Sequence, residues 1–158
     1  MTTAWITTAS PHVRAVANPL NAACHRGFVP DTLYVIENPG VEEEIERALE
    51  LCTTIVEAYG GATPEINVTT LDSEVDFTRI HAHIRDAIEA VTADDGDVAV
   101  DITPGRKFMS AIAFTAGIRY GADHVFYLYL KGSEHYGQSY PDIPHTGVEL
   151  YDFTEELG

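Results

Sequence analysis

A chain of 158 residues that is 45% hydrophobic and 22% charged is long enough to bury one core, and its composition argues against a disordered or fibrous chain. Its formal net charge of −16, from 9 basic and 25 acidic side chains, argues against duplex DNA or an anionic membrane as partner, since both attract basic surfaces. Two cysteines, no signal-peptide pattern in Met1–Ser10 and no apolar run of the ~20 residues that cross a bilayer point to a reducing cytoplasm.

The carboxylates are spread over predicted helices and loops. Such a surface is of the kind expected in a high-salt, halophilic cytoplasm, and general solubility is the alternative explanation. Lysine occurs only at Lys107 and Lys131, so any basic cluster stands out.

Trp5–Ala9 is a short β-rich run, and Val13, Val16, Ala17, Leu20 and Ala23/Cys24 then recur at helical spacing until Gly27. Asp31–Glu37 carries Leu33-Tyr34-Val35-Ile36, which suits a strand buried on both faces, before Asn38-Pro39-Gly40 turns the chain. From Val41 to Tyr59 one apolar stripe runs along a second helix, with Glu42, Glu43, Glu44 and Glu46 in its first turns, where the helix dipole favours anions. Glu65–Leu71 reads as a third strand. Asp76–Ala93 reads as a third helix with Phe77, Ile80, Ile84, Ala87/Ile88 and Val91 inward. Asp97–Ile102, Lys107–Tyr120 and His124–Leu130 continue as strand, helix and strand. A Gly-, Ser-, Tyr- and Pro-rich loop follows to Thr146, and Val148–Phe153 reads as a sixth, edge strand.

Four successive strand-helix units predict a parallel sheet with right-handed crossovers and helices on both faces. The length excludes an eight-fold barrel. The expected fold is a three-layer, doubly wound, Rossmann-like α/β domain over residues 1–158, its mostly parallel sheet ordered 3-2-1-4-5-6. That order places a ligand crevice where the first and fourth strands end.

Two loops meet there. The fourth strand runs into Asp101-Ile102-Thr103-Pro104-Gly105-Arg106-Lys107-Phe108-Met109-Ser110, which delivers a hydroxyl, a glycine and two cations to a helix start, where free N–H groups favour an anion. Lys107 is the candidate point charge, Thr103 a hydroxyl donor, and Gly105 allows close backbone approach to a phosphate. The loop Thr7-Thr8-Ala9-Ser10-Pro11-His12-Val13-Arg14 adds hydroxyls, a histidine and a third cation. The alternative is an ordinary strand-to-helix turn with Thr103 as cap and solvated cations.

Neither loop carries the triphosphatase or dinucleotide glycine pattern, and no G-x-S-x-G elbow occurs. Cys24 and Cys52 fall on helix positions that read as buried. His81 and His83, two apart on a helix, point to different sides and read as solvated, so neither a metal site nor a cofactor is expected.

Residues Val100-Asp101-Ile102-Thr103-Pro104-Gly105-Arg106-Lys107-Phe108-Met109-Ser110 resemble the strand-end signature of the CARF domains, the CRISPR-associated Rossmann-fold sensors of cyclic oligoadenylates. The likeness extends to the first strand with its Thr/Ser-rich loop and to Leu33–Ile36 leading into Asn38-Pro39, over residues 4 to 130. The family turn more often reads Gly-Gly-Thr where this chain has Pro104-Gly105-Arg106.

The resemblance implies an RNA-type ligand, a ring of four or six 3′,5′-linked adenylates, bound by a homodimer in type III CRISPR antiviral signalling. It places Thr8, Ala9, Ser10, Pro11, His12, Arg14, Asn38, Thr103, Pro104, Gly105, Arg106, Lys107 and Met109 against that ring. No effector domain is expected within the 158 residues, so the resemblance implies either a metal-independent ring nuclease or a non-catalytic sensor or sink. For cleavage it assigns Lys107 to the phosphate oxygens, Ser10 to a hydrogen bond with the phosphate or attacking hydroxyl, and His12 to general base work. A generic nucleotide-binding Rossmann-like protein is the third reading.

The fourth helix supports pairing independently. Phe108, Met109, Ala111, Ile112, Ala113, Phe114, Ala116, Gly117 and Ile118 make it apolar nearly all round, so it needs a second cover. Either a dimer partner or the Gly132–Thr146 loop is expected to supply it.

Overall fold

The computed structural model describes residues 1–8 and 10–158. Ala9, expected above to end the first strand and to touch ligand, lies outside the described residues. Strands β1 (Thr3–Thr8), β2 (Thr32–Glu37), β3 (Glu65–Thr70), β4 (Asp97–Asp101), β5 (His124–Leu130) and β6 (Val148–Asp152) form one six-stranded sheet. Helices α1 (Val13–His25), α2 (Glu42–Ala58), α3 (Phe77–Ala93), α4 (Lys107–Arg119) and the short α5 (Phe153–Glu156) connect or follow them. The strand order is β3-β2-β1-β4-β5-β6, as the sequence predicts. β6 alone runs antiparallel, Leu128 facing Leu150.

Strand alternation sorts the core into two layers. β1 sends Trp5 to one face, where it joins Val16 and Leu20 of α1 and Ile45 and Val56 of α2. Ala4 and Ile6 go to the other, against Ile80, Ile84 and Ile88 of α3 and Met109 and Ala113 of α4. Cys24 and Cys52 are buried as expected, and desolvation pushes both thiols up to about 12, which leaves them protonated and unreactive.

Several expectations need correction. Phe77 is 51% exposed: it opens α3 and sets its ring edge-on to Phe108. Tyr59 ends its helix half in solvent, its hydroxyl donating to Asn21 Oδ1 at 2.8 Å. His83 is not solvated. On α3, it turns its Nδ1 to Thr69 Oγ1 of β3 at 2.8 Å, and burial lowers its pKa to about 4. His81 meets the Tyr120 ring instead, so the two histidines do diverge.

Neutral His83 binds fewer protons folded than unfolded between its ordinary pKa of 6.5 and about 4. Stability is therefore full above 6.5 and falls as pH drops through that window, by about 3 kcal/mol at pH 4. Urea titrations at pH 7 and pH 4 should show this loss reduced in His83→Gln, which keeps a partner for Thr69.

The segment between β5 and β6 forms three 3-10 turns, Ser133–His135, Tyr140–Asp142 and His145–Gly147. It packs on α1 rather than on α4, so the loop does not cover the apolar fourth helix. On α4, Met109, Ala113, Ala116 and Gly117 are buried, while Ile118 is 46% exposed. Pro19 stands inside α1 and is buried. Having no N–H, it leaves the carbonyl of Ala15 without an α-helical partner.

Candidate functional site

β1 and β4 lie side by side in parallel, Ile6 opposite Val100, so the loops that follow them leave the sheet together. Thr8 ties them: its hydroxyl donates to the Pro104 carbonyl at 3.0 Å. Beneath this tie lies Asp101, fully buried at the end of β4. Its Oδ2 accepts from the Thr7 hydroxyl at 3.0 Å and its Oδ1 from the Thr103 amide at 3.0 Å. Desolvation raises its pKa to about 7, against the lowering effect of the Thr103 and Thr7 bonds.

Thr103 faces inward. Its Oγ1 accepts from the Leu128 amide at 2.9 Å, which links the turn to β5, so Thr8 and Thr103 hold the framework with their hydroxyls. Gly105 adopts φ +91° with open space where a side chain would stand, a backbone conformation that glycine takes without strain. Helix α4 then begins at Lys107. Arg106 caps it through its carbonyl, which accepts from the Met109 and Ser110 amides, leaving the N–H groups of Lys107 and Phe108 without helical acceptors.

Gly105, Arg106 and Lys107 are exposed. Arg106 pairs with Glu74 at 3.4 Å in solvent; among the described residues Lys107 pairs with no carboxylate. On the loop that follows Thr8, Ser10 is buried and its Oγ accepts from the His12 amide at 3.1 Å, while Pro11 and His12 are exposed. On the α4 side, Met109 is core, and the amide of buried Asn38 points at its sulfur at 3.8 Å. Among the described residues Asn38 Oδ1 meets no hydrogen-bond partner.

Arg14 is placed differently from a free phosphate ligand. Its Nε donates to Ser139 Oγ and its Nη1 to the Gly137 carbonyl, both at 3.0 Å, strapping α1 to the β5–β6 segment. Asn18, which sequence reasoning overlooked, completes the strap: Nδ2 donates to the Gln138 carbonyl at 2.8 Å and Oδ1 accepts from the Tyr140 amide at 2.9 Å. No periodic signal marks it, because Asn18 lies on the helix face opposite Val13, Val16, Ala17 and Leu20. Asn18→Ala strands two backbone groups and should cost about 2–3 kcal/mol. Faster hydrogen exchange at the Tyr140 amide would report the released segment.

The strap walls a cleft of about 390 Å³ lined by His12, Arg14, Ala15, Asn18, Pro19, Thr103, Leu128, Leu130, Tyr136 and Gly137. Taken together, two loops present an open helix start and a lysine to a crevice, and an apolar cleft adjoins it through His12, Arg14 and Thr103. An anion with an attached flat apolar group fits this arrangement chemically. Among the described residues no helix is long and apolar enough to cross a membrane.

The chain aligns with solved structures over most of its length. Can2 from Sulfobacillus thermosulfidooxidans, in complex with cyclic tetra-adenylate, matches with a TM-score of 0.58 and 15% identity over 78% of this chain and 31% of that one. A type III CRISPR defence DNA nuclease activated by cyclic oligoadenylate matches at 0.58 and 19% identity, over 83% and 19%. Csm6 from Enterococcus italicus, bound to cyclic hexa-2′-fluoro-hexa-dAMP, matches at 0.59 and 11% identity, over 82% and 34%. The chain thus spans about a third or less of each of these proteins. No curated protein matches it in sequence. The CRISPR-associated protein NE0113 family (Cas_NE0113) matches residues 4–150. With its switch-point loops and strand order β3-β2-β1-β4-β5-β6, the chain belongs to that CRISPR-associated family and has a CARF-type Rossmann-like fold.

Proposed function

We propose that this chain binds a cyclic oligoadenylate, a ring of four or six adenylates, across the two-fold axis of a homodimer in type III CRISPR signalling. The observation that carries the reading is the Thr8–Pro104 tie at 3.0 Å, which sets the loop bearing Ser10 and His12 beside the one bearing Gly105, Arg106 and Lys107. In an otherwise acidic protein this crevice has the charge and free N–H groups that a phosphodiester takes. The ligands of Can2 and Csm6, cyclic tetra-adenylate and a cyclic hexanucleotide analogue, support the same chemistry here.

Pairing follows from α4. Its outward residues, with Phe77 and Ile112 in one shallow hollow and Ile118 nearby on the same helix, leave an apolar face that an isologous partner covers. Such a dimer brings two copies of the crevice to one symmetric ring.

Cleavage is the second reading, favoured by the Thr8–Pro104 tie, which sets the loop that carries Ser10 and His12 beside the one that carries Lys107. The ribose 2′-hydroxyl attacks phosphorus, the P–O5′ bond breaks, and the products carry a 2′,3′-cyclic phosphate and a 5′-hydroxyl. His12 takes the 2′ proton, the departing 5′ oxygen takes up a proton from water, and Lys107 steadies the charged oxygens. The reaction is isomeric and consumes no co-reactant. A sensor or sink uses the same crevice without this step.

Calorimetry with cyclic tetra- and hexa-adenylate tests binding, and chromatography of the mixture, with and without chelator, tests cleavage. Nanomolar to micromolar affinity with a two-fold symmetric dimer by light scattering is expected. Intact rings after hours would leave the sensor; absence of binding to either ring would overturn the proposal.

A further inference from the structure

The sheet has two outer edges, and β3 forms one of them: among the described residues it pairs with β2 alone. Glu65 and Leu71 donate their amides inward, to the Asp31 and Glu37 carbonyls. By strand alternation the N–H and C=O groups of Ile66, Val68 and Thr70 therefore point away from the sheet. No lysine, proline or bulge interrupts Glu65–Thr70, and these are the usual devices that keep such an edge from pairing.

The two faces of this edge differ in chemistry. Ile66 and Val68 lie beside Leu33 and Val35 on the side that α1 and α2 cover, yet they are 38% and 43% exposed, so apolar area stays open at the rim. On the α3 side, Asn67, Thr69, His83 and Asp86 line a hollow of about 370 Å³, with Glu65 on the same face of the strand. His83, its pKa lowered to about 4, brings no positive charge to the hollow. Arg85 pairs with Asp86 at 2.9 Å, but in solvent, where such a pair contributes little and yields to another cation. Exposed Asp72 continues the negative charge past the strand end.

We propose that the β3 edge accepts an extended segment of a partner protein as an added strand, one that alternates β-branched apolar residues, beside Ile66 and Val68, with lysine or arginine, beside Glu65 and Asp86. Backbone groups of Ile66, Val68 and Thr70 supply the affinity, and the two faces select the sequence. A second copy of this chain fits worse, because it brings its own Glu65 and Asp72 to a rim that is already acidic. The surface goes beyond the ring-binding reading and uses other side chains: the hollow at α4 takes Phe77, Thr78 and His81 from α3, this one His83 and Asp86.

The test is a titration with a synthetic peptide of alternating valine and lysine, read by calorimetry and by amide hydrogen exchange, with a peptide of alternating valine and glutamate as control. Micromolar binding of the lysine peptide is expected, with exchange slowed at the Ile66, Val68 and Thr70 amides and unchanged at Asn67 and Thr69, the alternation that strand pairing produces. The glutamate peptide should bind at least about tenfold more weakly, and Val68→Lys, at a half-exposed position, should weaken the lysine peptide roughly five- to tenfold. Equal binding of the two peptides would overturn the charge preference. No binding of the lysine peptide, or binding that leaves the Ile66, Val68 and Thr70 amides unprotected, would overturn the edge as a docking site. If those amides are already protected in the protein alone, and light scattering shows an assembly that Val68→Lys dissolves, the occupant is a second copy and the proposal fails.

Discussion

Lys107→Ala should lower affinity for cyclic tetra-adenylate roughly 10- to 100-fold without unfolding the protein. Lys107 is exposed at the first position of α4, and among the described residues no carboxylate shares its charge, so its removal costs the fold little. A charge-assisted hydrogen bond to phosphate contributes about 1.5–3 kcal/mol, and each 1.4 kcal/mol is tenfold in affinity. Arg106 compensates only in part, because its guanidinium also lies 3.4 Å from the Glu74 carboxylate in solvent, which offsets some of its charge. Lys107→Arg should restore part of the affinity, and the salt dependence of binding should flatten in the alanine variant. Calorimetry at two ionic strengths checks both; wild-type affinity in Lys107→Ala would move the phosphate elsewhere.

The fold and the position of the crevice were legible in the sequence for different reasons. Leu33–Ile36 is apolar throughout because β2 is covered by helices on both faces, and such runs alternating with amphipathic helices admit few topologies. The strand-end segment from Asp101 to Lys107 announced itself because two adjacent cations are conspicuous in a chain of net charge −16. Residue roles within the crevice were less legible, because they depend on partners remote in sequence. Thr8 and Thr103 read as hydroxyls offered to a ligand, yet Pro104 and Leu128 engage them. Arg14 read as a third cation for phosphate, yet residues 137 and 139 take two of its donors. Periodicity places Phe77 inward correctly for a helix interior and wrongly for a first turn that overhangs its sheet. His83 read as solvated because an edge strand and a helix bury it jointly, and neither alone predicts that.

Asp101 carries the last expectation, on stability rather than binding. A carboxyl whose folded pKa rises from 3.8 to about 7 binds more protons folded than unfolded across that interval. By linkage, its contribution is fully present below pH 3.8 and is lost as pH climbs through about 7, a change of about 4 kcal/mol. His83 works in the opposite direction between 6.5 and about 4, so the wild-type curve alone mixes the two effects. The difference between wild type and Asp101→Asn isolates the carboxyl. Asparagine reproduces the protonated acid: its oxygen accepts from the Thr103 amide, and its NH₂ faces Thr7, whose hydroxyl can turn to the Thr8 carbonyl, already 3.5 Å away. Asp101→Asn should therefore match wild type near pH 4 and exceed it by pH 8, as measured by urea unfolding at each pH. Parallel curves would mean that the carboxyl beneath the crevice stays ionised, and that the Thr7 and Thr103 bonds outweigh the cost of burying it.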